Sequence, residues 1–352
     1  MFVQILSSEP ADRTICPTSA IRDIDISTDA PSLRVSLTDG ADEIYAAVLY
    51  AYFGKVTLAD AGAVIEQWMR LHGLHRSDIT VRACCASDSS VFATMTVSCL
   101  YCSYAVPESF DFTQTFYTAF RAHRVPSGAK FRLYGPVTEA DPVLVNIAGV
   151  DADGAPASGS VDLMASDGYV GVDVKAWTDH VCSHTSVARP CMMSIRCRGM
   201  EKTLLIVRDP QYLGFVFRNS FNCREPVWIS GVSVLKPEVS ADSAICSGRL
   251  MEYNRVLTRT YEHTSGPLTR AEAAAMLQML ESYSAGVLID GQYVDIVITD
   301  RSTEVSADDA TLNVLKFSWQ FADRRLRLFG EDLDSLLYSS GIFTEQFQPQ
   351  YM

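Results

Sequence analysis

Short segments rich in Val, Ile, Thr and Tyr recur along most of this chain, and they restrict its possible folds more than any other feature. Side chains alternate between the two faces of a strand, so such segments separated by turn residues are typical of antiparallel sheets. Four of them lie near the start: LRVSLT (33–38), EIYAAVLYAY (43–52), ITVRACC (79–85) and VFATMTVSCLYCSYAV (91–106). The sequence therefore predicts a mainly β protein.

Two segments alone have the periodicity of a long amphipathic helix. In residues 56–73, Thr57 is the predicted N-cap and Gly73 the predicted stop. In residues 266–286, Thr269 and Glu272 have the spacing of a capping box. Each helix is expected to lie on a sheet through an apolar stripe. The stripes comprise Ala61, Val64, Ile65, Trp68 and Leu71 in the first helix, and Ala273, Met276, Leu277, Leu280 and Tyr283 in the second.

The order strand, capped helix, strand, turn, long strand occurs twice, and a shift of 212 positions superimposes the two helix patterns. This repeat indicates either a duplicated unit or a chance recurrence of a common succession. Residues 107–225 differ, since turn residues at short intervals predict a β-sandwich of immunoglobulin-like or jelly-roll kind without a long helix. The segment VDADGAPASGS (150–160) is expected to be an exposed loop there.

These observations divide the chain into four parts. Residues 1–106 and 226–328 are predicted to be two β-sandwich-plus-one-helix units flanking the middle module, residues 107–225. Residues 329–352 are predicted to be a C-terminal tail or arm, because they are too few to form a core.

Composition narrows the function classes. Apolar residues make up 48% of the 352, which is enough for buried cores, yet no apolar run reaches the length of a membrane helix. Acidic side chains outnumber basic ones 42 to 29, for a net charge of −13. Because duplex DNA and anionic membranes both attract positive surfaces, we expect no membrane partner and no specific nucleic-acid partner.

The ten cysteines are interpreted as small buried thiols, since the amino terminus lacks the basic and apolar regions of a signal peptide. Cys99 and Cys102 form a CxxC motif within a predicted strand, where positions three apart face opposite sides. If residues 180–184 are also a strand, then His180, Cys182 and His184 share one face, but the spacing lacks the paired ligands of closed zinc sites. We therefore predict no metal and no cofactor.

Motifs for catalysis are absent. The sequence contains no GxSxG, HExxH, GxGxxG or GxxxxGK[ST]. We therefore predict that the protein is not an enzyme and assign no catalytic residue. Alternating acidic and basic residues at the end of the last predicted strand favour inter-strand or inter-subunit ion pairs instead. These candidate inter-subunit contacts are Asp323, Arg324, Arg325 and Arg327.

The third region carries a resemblance to a known group of proteins. The segment FRNSFNCREPVWISGVSVLKPEVSADSAICSGRLMEYN (217–254), followed by the capped helix, VDIVITDRSTEVS and LKFSWQFADRR, resembles proteins encoded in phages and prophages of gut Bacteroidetes. More broadly, it is similar to the tail-tube fold of tail tube, distal tail and baseplate-hub proteins. The resemblance covers roughly residues 215–328, and residues 20–106 weakly through the internal repeat.

The resemblance implies a structural component of a phage or prophage tail tip, similar to a distal tail or baseplate-hub ring protein. It implies self-association into a trimer or hexamer ring through inter-subunit β contacts, contact with other tail proteins, and a place in the virion tail after assembly in the bacterial cytoplasm. The candidate sheet edge EIYAAVLYAY, with one charge in ten residues, has little protection against such pairing.

A second function class remains open. In it the middle sandwich is a carbohydrate-binding or surface-binding module without catalysis, and the flanking units are a scaffold.

Overall fold

The structure is a computed structural model that describes residues 2–6, 23–87, 90–104, 111–207, 212–289, 292–301 and 312–323. Within these ranges the chain forms 21 strands and three helices, so the predicted mainly β fold is confirmed. The chain divides into two compact units, one formed by Met1–Phe112 with Ser220–Cys223 and the other by Thr113–Asn219 with Arg224–Met352. The predicted boundary between a middle module and a second tube-like unit stays a prediction.

The described residues of the first unit form two antiparallel sheets and one helix. Strands β1, β2 and β5 pair in the order β1-β2-β5, and a four-stranded sheet has the order β4-β3-β6-β7. Alternate residues of these strands and one helix face form a single core that includes Leu33, Val35, Ile65 and Met69. The elements are β1 (Val3–Leu6), β2 (Ile24–Thr28), β3 (Ser32–Asp39), β4 (Asp42–Tyr50), β5 (Lys55–Leu58), α1 (Ala61–His72), β6 (Arg76–Cys85) and β7 (Val91–Leu100).

Helix α1 begins later than predicted. Thr57 is not its N-cap, because this residue lies in β5 and its hydroxyl donates to the Asp25 carboxylate 2.8 Å away on the neighbouring strand. The stop at Gly73 is confirmed, with φ at +65° and its N–H bonded to the carbonyl of Arg70. Leu71, predicted to be in the apolar stripe, is 73% exposed, and Met69 is buried instead.

In the described parts of the second unit, the chain forms three sheets and two helices. The sheets have the strand orders β11-β10-β13-β14-β8, β12-β9 and β16-β15-β19-β20-β21-β18-β17. Two apolar cores lie within this unit. The elements are β8 (Ala122–Pro126), β9 (Lys130–Tyr134), β10 (Pro142–Val150), β11 (Pro156–Met164), β12 (Tyr169–Asp173), α2 (Val174–His184), β13 (Arg189–Cys197), β14 (Met200–Val207), β15 (Leu213–Arg218), β16 (Arg224–Ile229), β17 (Gly231–Cys246), β18 (Arg249–Ser265), α3 (Arg270–Glu281), β19 (Ala285–Ile289), β20 (Gln292–Asp300) and β21 (Lys316–Phe321).

The prediction that the middle region lacks a long helix is wrong. Helix α2 has 11 residues, and its N-cap Asp173 accepts a hydrogen bond of 2.9 Å from the backbone N–H of Ala176. Val174, Trp177 and Val181 form its buried face. The segment YVGVDVKAW (169–177) alternates apolar and polar residues as a strand does, so the start of the helix could not be recognised in the sequence. Its first five residues form strand β12, and the last four belong to α2.

The segment 150–160, predicted to be an exposed loop, is mostly strand. β11 begins at Pro156 and pairs with β10 over nine residues, so the connection is confined to residues 151–155. α2 packs on β11 at Gly159, where a Cβ atom would come within 2.7 Å of the side chains of Val181 and Thr185. Glycine here allows close packing of helix on strand rather than loop flexibility.

Helix α3 follows the prediction closely at its start. The Thr269 hydroxyl accepts from the Glu272 N–H at 3.3 Å, and the Thr269 N–H donates to the Glu272 carboxylate at 2.9 Å. This reciprocal pair confirms the capping box. Of the predicted stripe, Tyr283 is 45% exposed because the helix ends two residues earlier.

Residues 20–106 and 225–328 have different strand connectivity, which contradicts the interpretation of the repeat as a duplicated unit. In the first region the strand before the helix, β5, lies in a different sheet from β6 and β7, which follow the helix. In the second region β18 lies in the same sheet as β19, β20 and β21 and pairs with β21. A capped amphipathic helix after a strand is a local pattern, whereas strand partners are chosen by long-range packing, so similar helices here accompany different topologies.

Candidate assembly surfaces

The two longest strands that the structure describes, β17 and β18, form a hairpin. Its strands pair from Gly231 opposite Ser265 to Cys246 opposite Arg249. The two-residue turn contains Ser247 at φ +52° and Gly248 at φ +76°, the backbone of a type I′ turn. This turn matches the right-handed twist of the strands, so the hairpin continues without splaying to its tip.

Most of the hairpin extends beyond the sheet. Strand β21 pairs with β18 only between Tyr261 and Thr264, so among the described strands the remainder of β18 has β17 as its sole partner. We call residues 237–259 the arm. Each of its strands has about ten residues, which corresponds to about 33 Å at ~3.3 Å per residue.

The arm exposes apolar side chains on both of its faces. Ile245 and Leu250 lie opposite each other near the tip and are 76% and 72% exposed. An isolated two-stranded hairpin is marginally stable in water, and an exposed apolar strand edge is a template for pairing with another chain. The exposed large apolar residues of the arm are Val239, Ile245, Leu250, Met251, Tyr253, Val256 and Leu257.

The two strands of the arm carry opposite charge. The β17 strand has two acidic residues, Glu238 and Asp242, and no basic one. The β18 strand has three arginines and one glutamate. The arm is therefore neutral in a chain of net charge −13, and it presents one acidic and one basic edge. The charged residues of the β18 strand are Arg249, Glu252, Arg255 and Arg259.

A bulge fixes the register of the arm. The pairing shifts between Ser240 and Asp242, where β18 contains one extra residue. Asn254 has φ at +50° in this bulge, and its side-chain amide donates to the Asp242 carboxylate at 3.1 Å. Because bulges pin the register and increase local twist, the apolar and charged residues keep their positions along the arm.

A second candidate surface lies in the first unit. Strand β4 pairs only with β3 among the described strands, so the prediction that this segment is a sheet edge is confirmed. Val48 and Tyr50 on it are 48% and 80% exposed. The following turn presents Phe53, which is 91% exposed with φ at +50°, a conformation uncommon for an aromatic residue.

The residues predicted as inter-subunit contacts are only partly within the described chain. Asp323 lies exposed just after the end of β21. Arg324, Arg325 and Arg327 lie outside the described residues, so the predicted ion pairs stay a prediction. The arm, which sequence reasoning from residues did not single out, presents charged and apolar side chains within the described residues.

A buried polar cluster in the second unit was also missed by sequence reasoning. The Lys202 ammonium, 1% exposed, donates to the Thr118 hydroxyl at 2.8 Å and to the carbonyl of Phe120. The Glu225 carboxylate accepts from the Thr118 hydroxyl, and from the Asn219 amide at 2.8 Å. Burial lowers the pKa of Lys202 from 10.5 to about 8, against the raising effect of Glu225. Each of these buried donors has an acceptor within the cluster, as is typical of a hydrogen-bond network that stabilises the fold.

The histidines and cysteine that were considered as metal ligands do not lie on a strand. His180, Cys182 and His184 lie on helix α2, which separates Cys182 from the two histidines. Cys99 is the penultimate residue of β7 and Cys102 follows its end, and both are buried. Within the ranges that the structure describes, no group of three or more His, Cys, Asp or Glu side chains could hold a metal ion.

No helix in the described parts of the chain is both long and apolar enough to cross a membrane.

Comparison with known proteins gives no family. No protein-family model matches the chain. No curated protein matches it either. Among solved structures, the chain is similar to the calcium binding domain CBD12 of CALX1.1, with 10% identity, a TM-score of 0.20, and coverage of 56% of this chain and 79% of that one.

Two other solved structures are similar at the same low level. The extracellular region of plexin A4 has 8% identity and a TM-score of 0.24, over 92% of this chain and 40% of that one. A protein of unknown function from Porphyromonas gingivalis W83 has 11% identity and a TM-score of 0.17, over 58% and 97%. These scores are too low to assign a family or a function to this chain.

Proposed function

We propose that this protein is a structural subunit that assembles with copies of itself through the edges of the arm. The observation that carries the proposal is the arm, residues 237–259, which is about 33 Å long, contributes no residue to the described cores and exposes apolar side chains on both faces. A free-standing hairpin of this kind gains stability when its edges pair with further strands.

The charges favour pairing between unlike edges. The β17 edge carries Glu238 and Asp242, whereas the β18 edge carries an excess of arginines. Two identical edges would bring like charges together, which costs free energy. Placing the β17 edge of one copy beside the β18 edge of the next is favourable, and this contact is heterologous. Repetition of such a contact closes a ring or continues as a filament, depending on the rotation between copies.

The sequence resemblance adds a biological setting to this assembly. On that basis the subunit belongs to a phage or prophage tail tip, as a distal tail or baseplate-hub-like ring protein of the virion. It forms a trimer or hexamer there and contacts other tail proteins. The alternative is a carbohydrate-binding or surface-binding β-sandwich without catalysis, for which a strictly monomeric protein is the expected state.

Charge reversal on one edge at a time tests the proposal. We expect E238K/D242K and R249E/R259E each to weaken self-association by tenfold or more, because like charges then meet at the contact; about 1.4 kcal/mol corresponds to tenfold. The quadruple variant E238K/D242K/R249E/R259E restores opposite charges across the contact, and we expect it to regain self-association. Analytical ultracentrifugation over a concentration range measures the effect, and negative-stain microscopy shows whether the assemblies are rings.

The matched control is K175E/R189E, which reverses two exposed charges outside the arm and should assemble as the parent chain does. A parent protein that stays monomeric at high concentration contradicts the proposal. So does a single-edge variant that associates normally. Monomeric protein that binds a polysaccharide would instead support the alternative.

A further inference from the structure

Helix α2 brings two histidines onto one exposed face. Successive residues of an α-helix are rotated by about 100°, so His180 and His184 lie about 40° apart, while Cys182 lies on nearly the opposite side. Their ring centroids are 4.4 Å apart, with 32° between the ring planes. Both side chains are exposed. The two imidazoles are therefore adjacent and accessible.

The ring of His184 is held by contacts at its Nδ1 atom. This nitrogen lies 2.8 Å from the backbone carbonyl oxygen of His180 and 2.8 Å from the hydroxyl of Ser183, which itself donates to the same carbonyl at 2.7 Å. In the tautomer whose Nδ1–H donates to this carbonyl, Nε2 keeps its lone pair for a metal. A ring N–H held by a backbone carbonyl is the usual second interaction of a histidine that ligates a metal.

We propose that His180 and His184 bind a divalent transition cation of the Zn²⁺, Ni²⁺ and Cu²⁺ class through their Nε2 atoms. Imidazole nitrogen suits these cations, and two histidines at i and i+4 are the helical part of known zinc-binding motifs. With two protein ligands the remaining coordination positions are open to water or to another molecule. Such an open site does not need the four ligands of a closed zinc site, and it is independent of the arm.

The remaining described histidines lack this arrangement. His123 and His263 are buried. His75 lies after the end of α1, and the positions four residues from it are Leu71 and Ile79. His72 on α1 has the same local geometry as His184, since its Nδ1 lies 2.9 Å from the carbonyl of residue 68. However, the ring four residues earlier is Trp68, which offers no lone pair to a metal. His72 is therefore a natural control for a single oriented imidazole.

Titration of the full-length chain with Ni²⁺ by isothermal calorimetry tests the site. We expect one Ni²⁺ per chain, and a loss of affinity of about tenfold or more in H180A and in H184A, because altering even an outer partner of a metal site costs ~10–100-fold. The variant H72A should bind as the parent chain does. Circular dichroism of each variant confirms the fold, and the exposure of both histidines predicts that it is retained.

A repositioned pair separates helical geometry from the mere number of histidines. D179H/H180A keeps two histidines on exposed positions of α2 but places them five residues apart, about 140° around the helix. We expect this variant to bind no better than H180A. Binding equal to that of the parent chain in H180A/H184A or in D179H/H180A would overturn the proposal, as would the absence of Ni²⁺ binding by the parent chain.

Discussion

Lys202 should make the stability of the second unit depend on pH in the alkaline range. Its pKa is about 8 in the folded protein because burial disfavours the charged ammonium, compared with 10.5 for the ordinary side chain. Between these two values the unfolded chain holds a proton on this lysine that the folded protein has released. Stability therefore rises as the pH increases from 8 to 10.5.

The magnitude follows from the difference between the two pKa values. One pKa unit corresponds to about 1.4 kcal/mol. Lowering the pKa of Lys202 from 10.5 to about 8 therefore raises the free energy of unfolding by about 3 kcal/mol between pH 8 and pH 10.5. Lys202→Met removes the titrating group while keeping an unbranched side chain in the core. The difference in unfolding free energy between the parent chain and this variant should therefore change by about 3 kcal/mol from pH 8 to pH 10.5.

Urea unfolding at a series of pH values measures this difference. Three tryptophans lie in the second unit, so a Trp68→Phe background makes tryptophan fluorescence report that unit alone. Lys175→Met is the matched control, because Lys175 is an exposed lysine paired with Asp179 at 2.8 Å. Its profile should run parallel to that of the parent chain. If the Lys202→Met profile is also parallel, burial does not lower the pKa of Lys202 and the reasoning is refuted.

Three further changes test single features of the fold. Gly73→Ala should destabilise the first unit by about 1 kcal/mol in urea unfolding, since its φ of +65° is unfavourable for a residue with a Cβ atom; an unchanged stability would contradict this. Phe53→Asn should raise the melting temperature slightly, because asparagine tolerates the positive φ of this exposed turn; a lower value would show that the ring contributes packing. His263 has a pKa of about 4 because it is buried, so stability should fall as the pH falls from 6.5 to 4. His263→Gln should remove that part of the acid dependence, and an equally steep acid profile would exclude His263 as its source.

Several local features could be predicted from the sequence alone. The capping box of Thr269 and Glu272, the stop at Gly73 and the strand character of residues 42–50 all depend on residues a few positions apart. Their energies come from hydrogen bonds and backbone preferences within one turn or one strand. Such short-range signals are visible in the order of residues, so these predictions hold in the structure.

Other features depend on which elements meet. Thr57 has the right residue type and spacing for an N-cap, but its hydroxyl donates a hydrogen bond to Asp25 on an adjacent strand. Leu71 fits the apolar stripe of α1, yet its side chain is 73% exposed. Helix α2 was hidden in an alternating segment, because periodicity over a few residues does not separate a strand end from a helix start.

By itself, the sequence determined the class of the fold, the presence of helices α1 and α3 and the capping box of α3, because strand and helix preferences are local. Only the tertiary structure decided the strand partners, and with them the differing topologies of the two helix-containing regions. It also decided that Lys202 is buried, that the arm extends beyond the end of its pairing with strand β21, and that His180 and His184 share a helix face. The burial of Lys202, the strand partners and the extension of the arm depend on contacts between residues distant in sequence. The pairing of the two histidines depends on whether residues 174–184 form a strand or a helix, which such contacts also decide. Local residue spacing encodes neither kind of information.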